Sequence, residues 1–305
     1  METIYSPLQK YAESDPTKIA IITKDGHFTY KFIHELSECL AKKLIDDYGV
    51  CPGDRIALFI PDKIFFVIAY YAIVKAHATV IPIDHLLKNN EVQYILNHSQ
   101  ARFLLVNRST ELRLLSDSQR HFVPLQLDDS SLFSYYALYE LDHREWDENV
   151  ARMDSDVASI TYTSGTTGKP KGVVITHRSI IEKMHAFNDV LNISKDDRIL
   201  SELSLVYIYG QVMVMNLGLW HGCTLILLDG DRIEDILSYL ENEKVTMMFS
   251  IPLTYTKMND YVKENNVAVK HHLRFAITGG NILTSDRKKE IEKNLNVKLL
   301  DSYGL

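Results

Sequence analysis

The sequence predicts an α/β protein with two sheet-containing lobes, each built on mainly parallel strands flanked by helices. Two observations carry this. Continuous apolar runs of strand length, such as "RIALFI" (55–60) and "CTLILL" (223–228), alternate with helix-length segments, the pattern of parallel sheets covered on both faces. That alternation is interrupted over 107–150, a polar, turn-rich stretch read as a surface connection. At 305 residues, 46% hydrophobic and 24% charged, the chain can fill one large or two ordinary cores.

Each element has a local reason. "RIALFI" is stopped by Pro61, and Asp62 is placed to cap the helix "KIFFVIAYYAIVKA" behind it. The strand "TVIPI" (79–83), a helix through "EVQYILNHS" (91–99) and the strand "RFLLV" (102–106) follow. "SITYT" (159–163) and "GVVIT" (172–176) flank a turn. After "CTLILL" come the helix "RIEDILSYLENE", the strand "VTMMFSI", a helix from Pro252, the strand "LRFAIT", the helix "SDRKKEIEKNL" and the strand "VKLLD". One lobe is expected around 51–190 and the other from 1–50 plus 191–305, joined near 180–200.

Composition narrows the function classes. A formal charge of −7 argues against a nucleic-acid partner, which calls for a basic stripe. Cys39, Cys51 and Cys223 are odd in number and far apart, so they read as reduced thiols in a cytoplasmic protein rather than a disulfide or zinc framework. The N-terminus lacks the basic start and apolar run of a signal peptide. The stretch 203–228 has no Asp, Glu, Lys or Arg, yet Gln211, Asn216, His221 and the glycines Gly210, Gly218 and Gly222 divide it into a helix and a strand. No membrane span is expected from it. His271 and His272 are adjacent and point apart, a poor metal pair.

The chemistry centres on "TYTSGTTGKPKG" (161–172), which carries Lys169 and Lys171 and no carboxylate. Gly165 and Gly168 permit positive φ and close approach of a ligand to the main chain. Successive N–H groups in such a loop cradle anions. Ser164, Thr166 and Thr167 add hydroxyl donors, and the lysines add charge. A plain turn needs neither the lysines nor the missing acid, so the segment reads as a phosphate-binding loop. It departs from the ordinary nucleotide loop: only two residues separate Gly165 from Gly168, and Pro170 stands where a magnesium-binding Ser or Thr belongs. A P-loop NTPase is thus a distant alternative.

"YTSGTTGKPKGVVITHRSI" (162–180) resembles the phosphate-loop signature of the adenylate-forming (AMP-binding) enzymes: acyl- and aryl-CoA synthetases, firefly luciferase and nonribosomal peptide adenylation domains. "FTYKFIHELS", "GVCPGDRIAL", "AIVKAHATVIPID", "ITGGNIL" and "DSYGL" resemble further family segments in the expected order, with His77 where the family usually has glycine. The stretch 204–227 is similar to the acyl-CoA synthetase pattern Pro-Leu-x-His-x-Tyr-Gly, with Ser204 at the proline position and Tyr207 at the histidine position. It does not resemble the Phe-Asp segment of amino-acid-activating members.

The resemblance implies the large N-terminal domain of that fold, its two lobes interlocked. It implies a small-molecule carboxylic acid, fatty or aromatic, activated by ATP and Mg²⁺ to acyl-AMP. The acyl group then passes to CoA or to the phosphopantetheine of an acyl carrier protein. Thr163 through Gly168, with Lys169 and Lys171, would hold the phosphates, and Lys171 would contribute to catalysis. Gly279, Gly280, Asn281, Asp301, Ser302, Tyr303 and Gly304 would border the nucleotide, Tyr303 stacking on the base. Tyr207, Tyr209, Gly210 and Gln211 would line the acyl pocket, with Trp220, Met213 and Met215 as core or tunnel lining. The family's pattern continues past "SYGL" with Thr-Glu, a hinge and a lysine-bearing lid domain. The chain is therefore read as the N-terminal part of such an enzyme, inactive by itself. A noncatalytic nucleotide- or acyl-binding module is the other reading.

Overall fold

The computed structural model describes residues 3–107, 110, 122–124, 136–141, 156–163 and 169–303. The chain divides into two compact units, 1–15 with 31–186 and 16–30 with 187–305. This corrects the expected division of the first fifty residues. Only 16–30 belong with the second unit, because β1 (Ile19–Thr23) pairs in parallel with β11 (Thr224–Leu227), Ile21 opposite Leu225. β2 (Gly26–Thr29) closes a hairpin onto β1. The remainder stays with the first unit. Helix α1 (Ser6–Ser14) is preceded by Tyr5, whose hydroxyl is 2.7 Å from His34 Nδ1 on α2 (Tyr30–Asp46). Ser37 of α2 donates to the Ile68 carbonyl of α3 (Lys63–Lys75).

In the first unit the strands run β6-β7-β5-β3-β4-β8-β9 across the sheet, β9 being Lys171–Thr176. β3 (Arg55–Phe59), β4 (Thr79–Pro82), β5 (Phe103–Asn107) and β8 (Val157–Thr163) form its parallel centre. Every residue of β3 and β4 is buried, which is why both read as unbroken apolar runs. Asp62 caps α3 as expected, accepting from Phe65 N at 2.8 Å. The edges are antiparallel. β7 (Tyr136–Glu140) pairs with β5, and β6 (Phe122–Pro124) pairs with β7. The expected irregular connection over 107–150 thus contains two strands; buried Leu138 and Tyr139 extend the core there. His77, at the family's glycine position, has φ 57°. That left-handed backbone costs a residue bearing a Cβ more than glycine.

The second unit orders its strands β14-β13-β12-β10-β11-β1-β2, all parallel but β2. β10 (Arg198–Ser201), β12 (Met247–Ser250), β13 (Phe275–Thr278) and β14 (Leu299–Asp301) supply the half that carries candidate residues. Leu200, Met248, Ala276 and Leu299 face one way and pack with Ile236, Tyr255 and Ile291. These come from helices α7 (Ile233–Asn242), α8 (Pro252–Asn265) and α9 (Ser285–Leu295). The uncharged stretch divides as expected into helix and strand: a π-helix, Tyr209–Asn216, continues as α6 (Leu217–Trp220) before β11. Among the described residues, no helix is long and apolar enough to cross a membrane.

Candidate functional site

In the first unit β8 and β9 (Lys171–Thr176) form an antiparallel hairpin whose last rung pairs Thr163 with Lys171. Thr163, Lys169 and Lys171 are all exposed. Ser164, Gly165, Thr166, Thr167 and Gly168 lie outside the described residues, between those two stems. One rung deeper, Tyr162 faces Gly172. A Cβ at Gly172 would stand 2.8 Å from Ile160 Cγ2 and 3.3 Å from Tyr162 Cζ, so glycine there lets the Tyr162 ring lie across β9.

Helix α5 (His177–Leu191) follows the hairpin directly. Its first residue, His177, is 2% exposed, and its Nδ1 has no hydrogen-bond partner among the described residues. Burial, with the nearby His77 acting the same way and Asp156 opposing, lowers its pKa to about 4. The unfolded chain therefore takes up a proton below about pH 6.5 that the folded chain resists until about pH 4. Stability is full above that window and falls through it by up to about 3 kcal/mol. Denaturant titrations across the window should show a smaller acid loss in His177→Gln than in the native chain. Equal losses would show that His177 is not the group responsible.

The second unit gathers its candidates at the carboxyl ends of parallel strands, where open α/β sheets receive ligands. Ser302, just past β14, folds over the end of β13: its N–H and its hydroxyl both donate to the Thr278 carbonyl, at 2.7 and 3.0 Å. Tyr209, from the first turn of the π-helix, donates toward the carbonyls of Ser250 (3.4 Å) and Ile277 (3.3 Å). Burial raises its pKa well above the usual phenol range, so it is a neutral donor at physiological pH. Gly279 lies between the two. A Cβ there would meet Ser302 Oγ at 2.4 Å and Tyr209 Cζ at 3.4 Å. Tyr209, Gly279 and Ser302 are thus one contact group.

Around that group the other candidates differ in exposure. Gly280 has φ 81°, and Asn281 Oδ1 accepts from Ile282 N at 2.8 Å. Tyr303 is 96% exposed and Tyr207 47%. Gln211 is buried, as are Met213 and Met215. Gly210 fits only as glycine, since a Cβ would stand 2.2 Å from the Ser204 carbonyl oxygen. Asp301 Oδ2 is held by Lys288 Nζ of α9 at 2.5 Å. Gly304 lies outside the described residues.

Sequence reading missed two features. Glu202, to which the sequence alone assigns no role, accepts at Oε1 from Ser250 Oγ and from Thr254 Oγ1 at 2.8 Å, the latter on the first turn of α8. It secures the helix that follows β12. Helix α4 (Asn89–Ser99) presents Tyr94 and His98 to the phosphate hairpin; their i, i+4 spacing was the available signal. His271 is taken up locally, its Nε2 3.0 Å from the Leu295 carbonyl and its Nδ1 accepting from Leu273 N at 3.1 Å. Among the described residues, no group of three or more His, Cys, Asp or Glu side chains is arranged to hold a metal.

A family model described as AMP-binding enzyme matches residues 8–305. Over 305 residues the chain is 26% identical to a mitochondrial malonate–CoA ligase of Mus musculus, spanning 94% of this chain and 52% of that protein. Gramicidin S synthase 1 of Brevibacillus brevis is 27% identical over 260 residues, 83% of this chain and 22% of that protein. The fold is shared with a benzoate CoA ligase from Burkholderia xenovorans LB400, with a TM-score of 0.81 at 21% identity, covering 100% of this chain and 61% of that one. The chain therefore spans about half the length of the malonate ligase that it matches.

Proposed function

Because the chain belongs to the AMP-binding enzyme family, we propose that it activates a carboxylic acid with ATP and passes the acyl group to a thiol. A free carboxylate is a poor acyl donor, since oxide would have to leave. In the first step a carboxylate oxygen bonds to the α-phosphorus of ATP. The bond from that phosphorus to the β-phosphate oxygen breaks, and pyrophosphate departs with the electron pair. The thiol, of CoA or of a carrier-protein phosphopantetheine, then displaces AMP.

The observation that carries this reading is the hairpin rung pairing Thr163 with Lys171 at the mouth of a glycine-rich, acid-free loop. Donors and cations fixed where negative charge accumulates lower the barrier to leaving. Thr163 and Lys171 are exposed at that rung and Lys169 is exposed two residues beyond it, and Ser164 to Gly168 supply further hydroxyl and backbone donors. Magnesium carried on the phosphates of ATP would neutralise part of their charge beside Thr163 and Lys171.

The contact group of Tyr209, Gly279 and Ser302 supports a nucleotide and acyl pocket at the end of the second sheet. Gly280, Asn281, Asp301 and Gly304 belong to the same border, and exposed Tyr303 is free to stack on adenine. Tyr207, Gly210 and Gln211 complete the acyl side. The segment 204–210 offers no aspartate to pair with an α-amino group, which favours a fatty or aromatic acid. Widely spaced free cysteines fit a reducing, cytoplasmic setting.

Return of labelled pyrophosphate into ATP, measured across a panel of carboxylic acids with a longer chain containing these residues, tests the reading. Exchange is expected only with a matching acid. Acid-independent release of ADP would replace it with NTP hydrolysis, and nucleotide binding without exchange would leave a binding module. The 305 residues alone span about half of the malonate ligase, and we propose that by themselves they form little acyl-AMP. Robust acyl-AMP from the short chain would overturn that part.

A further inference from the structure

Both sides of the phosphate hairpin are tied to one helix, each within one residue of the last rung. On the β8 side, Tyr162 Oη shares a 2.8 Å hydrogen bond with His98 Nδ1. On the β9 side, Tyr94 Oη donates to the Pro170 carbonyl at 3.3 Å. Tyr94 and His98 are one turn apart on α4 and stack at 5.4 Å, 25° between planes, while His98 meets Tyr162 edge-on at 5.7 Å and 84°. The helix is itself anchored: Val92, Ile95 and Leu96 are buried in the core that holds Ile160 and Tyr162. Burial, with Tyr94 adding to it, pushes the Tyr162 phenol up to about 12, so it stays protonated and able to hydrogen-bond at neutral pH.

The two ties fall on Tyr162 and Pro170, each one residue from a proposed phosphate ligand, Thr163 and Lys171. Packing of the hairpin does not require them. Gly172 already lets the Tyr162 ring lie flat, and a phenylalanine at 162 or 94 would fill the same space. What the hydroxyls and the imidazole add is a fixed separation between the stems. Preorganised donors stabilise a developing charge because they need no rearrangement when it forms.

We propose that Tyr94, His98 and Tyr162 are positioning residues that brace the hairpin and so set the geometry in which Thr163 and Lys171 meet the leaving pyrophosphate. This rests on the phosphate reading above. The brace acts on the polyphosphate end of the nucleotide alone, since none of its members is among the adenine candidates.

Isothermal titration of the chain with MgATP, magnesium pyrophosphate and AMP separates the possibilities. Tyr94→Phe and His98→Phe are each expected to weaken MgATP and pyrophosphate by about fivefold, the loss of one ordinary hydrogen bond, with AMP unchanged and melting temperature preserved. His98→Asn, which keeps a hydrogen-bonding atom near the Nδ1 position, is expected to regain most of the affinity. The proposal is overturned if His98→Phe and Tyr94→Phe bind MgATP as the native chain does. It is equally overturned if AMP weakens in step with MgATP, or if His98→Asn regains nothing. Thr163→Ala with Lys171→Ala is the control. If that pair also leaves MgATP binding intact, the phosphate reading fails and takes the brace with it; if it weakens MgATP and the brace variants do not, the brace alone fails.

Discussion

In a longer chain containing these residues, replacing Thr163 and Lys171 together with alanine is expected to lower acid-dependent pyrophosphate exchange by about a hundredfold or more, with the melting temperature almost unmoved. Charge-assisted hydrogen bonds contribute about 1.5–3 kcal/mol each. Two of them lost at the transition state raise the barrier by about 3–6 kcal/mol, and each 1.4 kcal/mol or so is about tenfold in rate. Both side chains are exposed and pair across the last rung of an edge hairpin, so the fold loses little when they are cut back. The exchange rate should therefore collapse while the fold stands. Undiminished exchange in this variant would remove the central assignment, because no other stretch of the sequence combines lysines with a glycine-rich, acid-free run.

How much of this was legible before the structure depends on whether the signal was local. The phosphate loop is local: glycines, hydroxyls and lysines in one short run announce it, and its stems read as strands because Ile160 and Ile175 are apolar and buried. Asp62 and the helix after it are local too. The failures are long-range. Whether β1 joins the second unit is decided by its pairing with β11, some two hundred residues away. β7 looks like an irregular segment until its partner β5 gives Leu138 and Tyr139 something to cover. Glu202 has no meaning in sequence. It acquires one when β10 and β12 lie side by side and bring Ser250 and Thr254 to its carboxylate. The contact of Tyr209 with Gly279 and Ser302 joins three separate segments, and only the family resemblance pointed to all of them.

Two glycines of the second unit should separate folding from chemistry. Gly210→Ala would place a Cβ 2.2 Å from the Ser204 carbonyl oxygen and 2.9 Å from its carbon. Those are backbone atoms, which cannot rotate aside, so the chain must shift where it enters the π-helix. A loss of about 3 kcal/mol of stability is expected, visible as a large drop in denaturation midpoint. Gly279→Ala meets mainly a hydroxyl, Ser302 Oγ at 2.4 Å, with the Ser302 carbonyl oxygen at 3.2 Å. The hydroxyl can swing away at the cost of its 3.0 Å bond to Thr278, about 1 kcal/mol. The fold should survive, but Ser302 and Tyr303 move, and exchange should fall by about tenfold or more as the nucleotide border opens. Adding Ser302→Ala removes the colliding atom and should restore part of the exchange that Gly279→Ala lost. If the double variant is no better than Gly279→Ala alone, then Ser302 is not what that glycine makes room for, and the contact group does not order the nucleotide border.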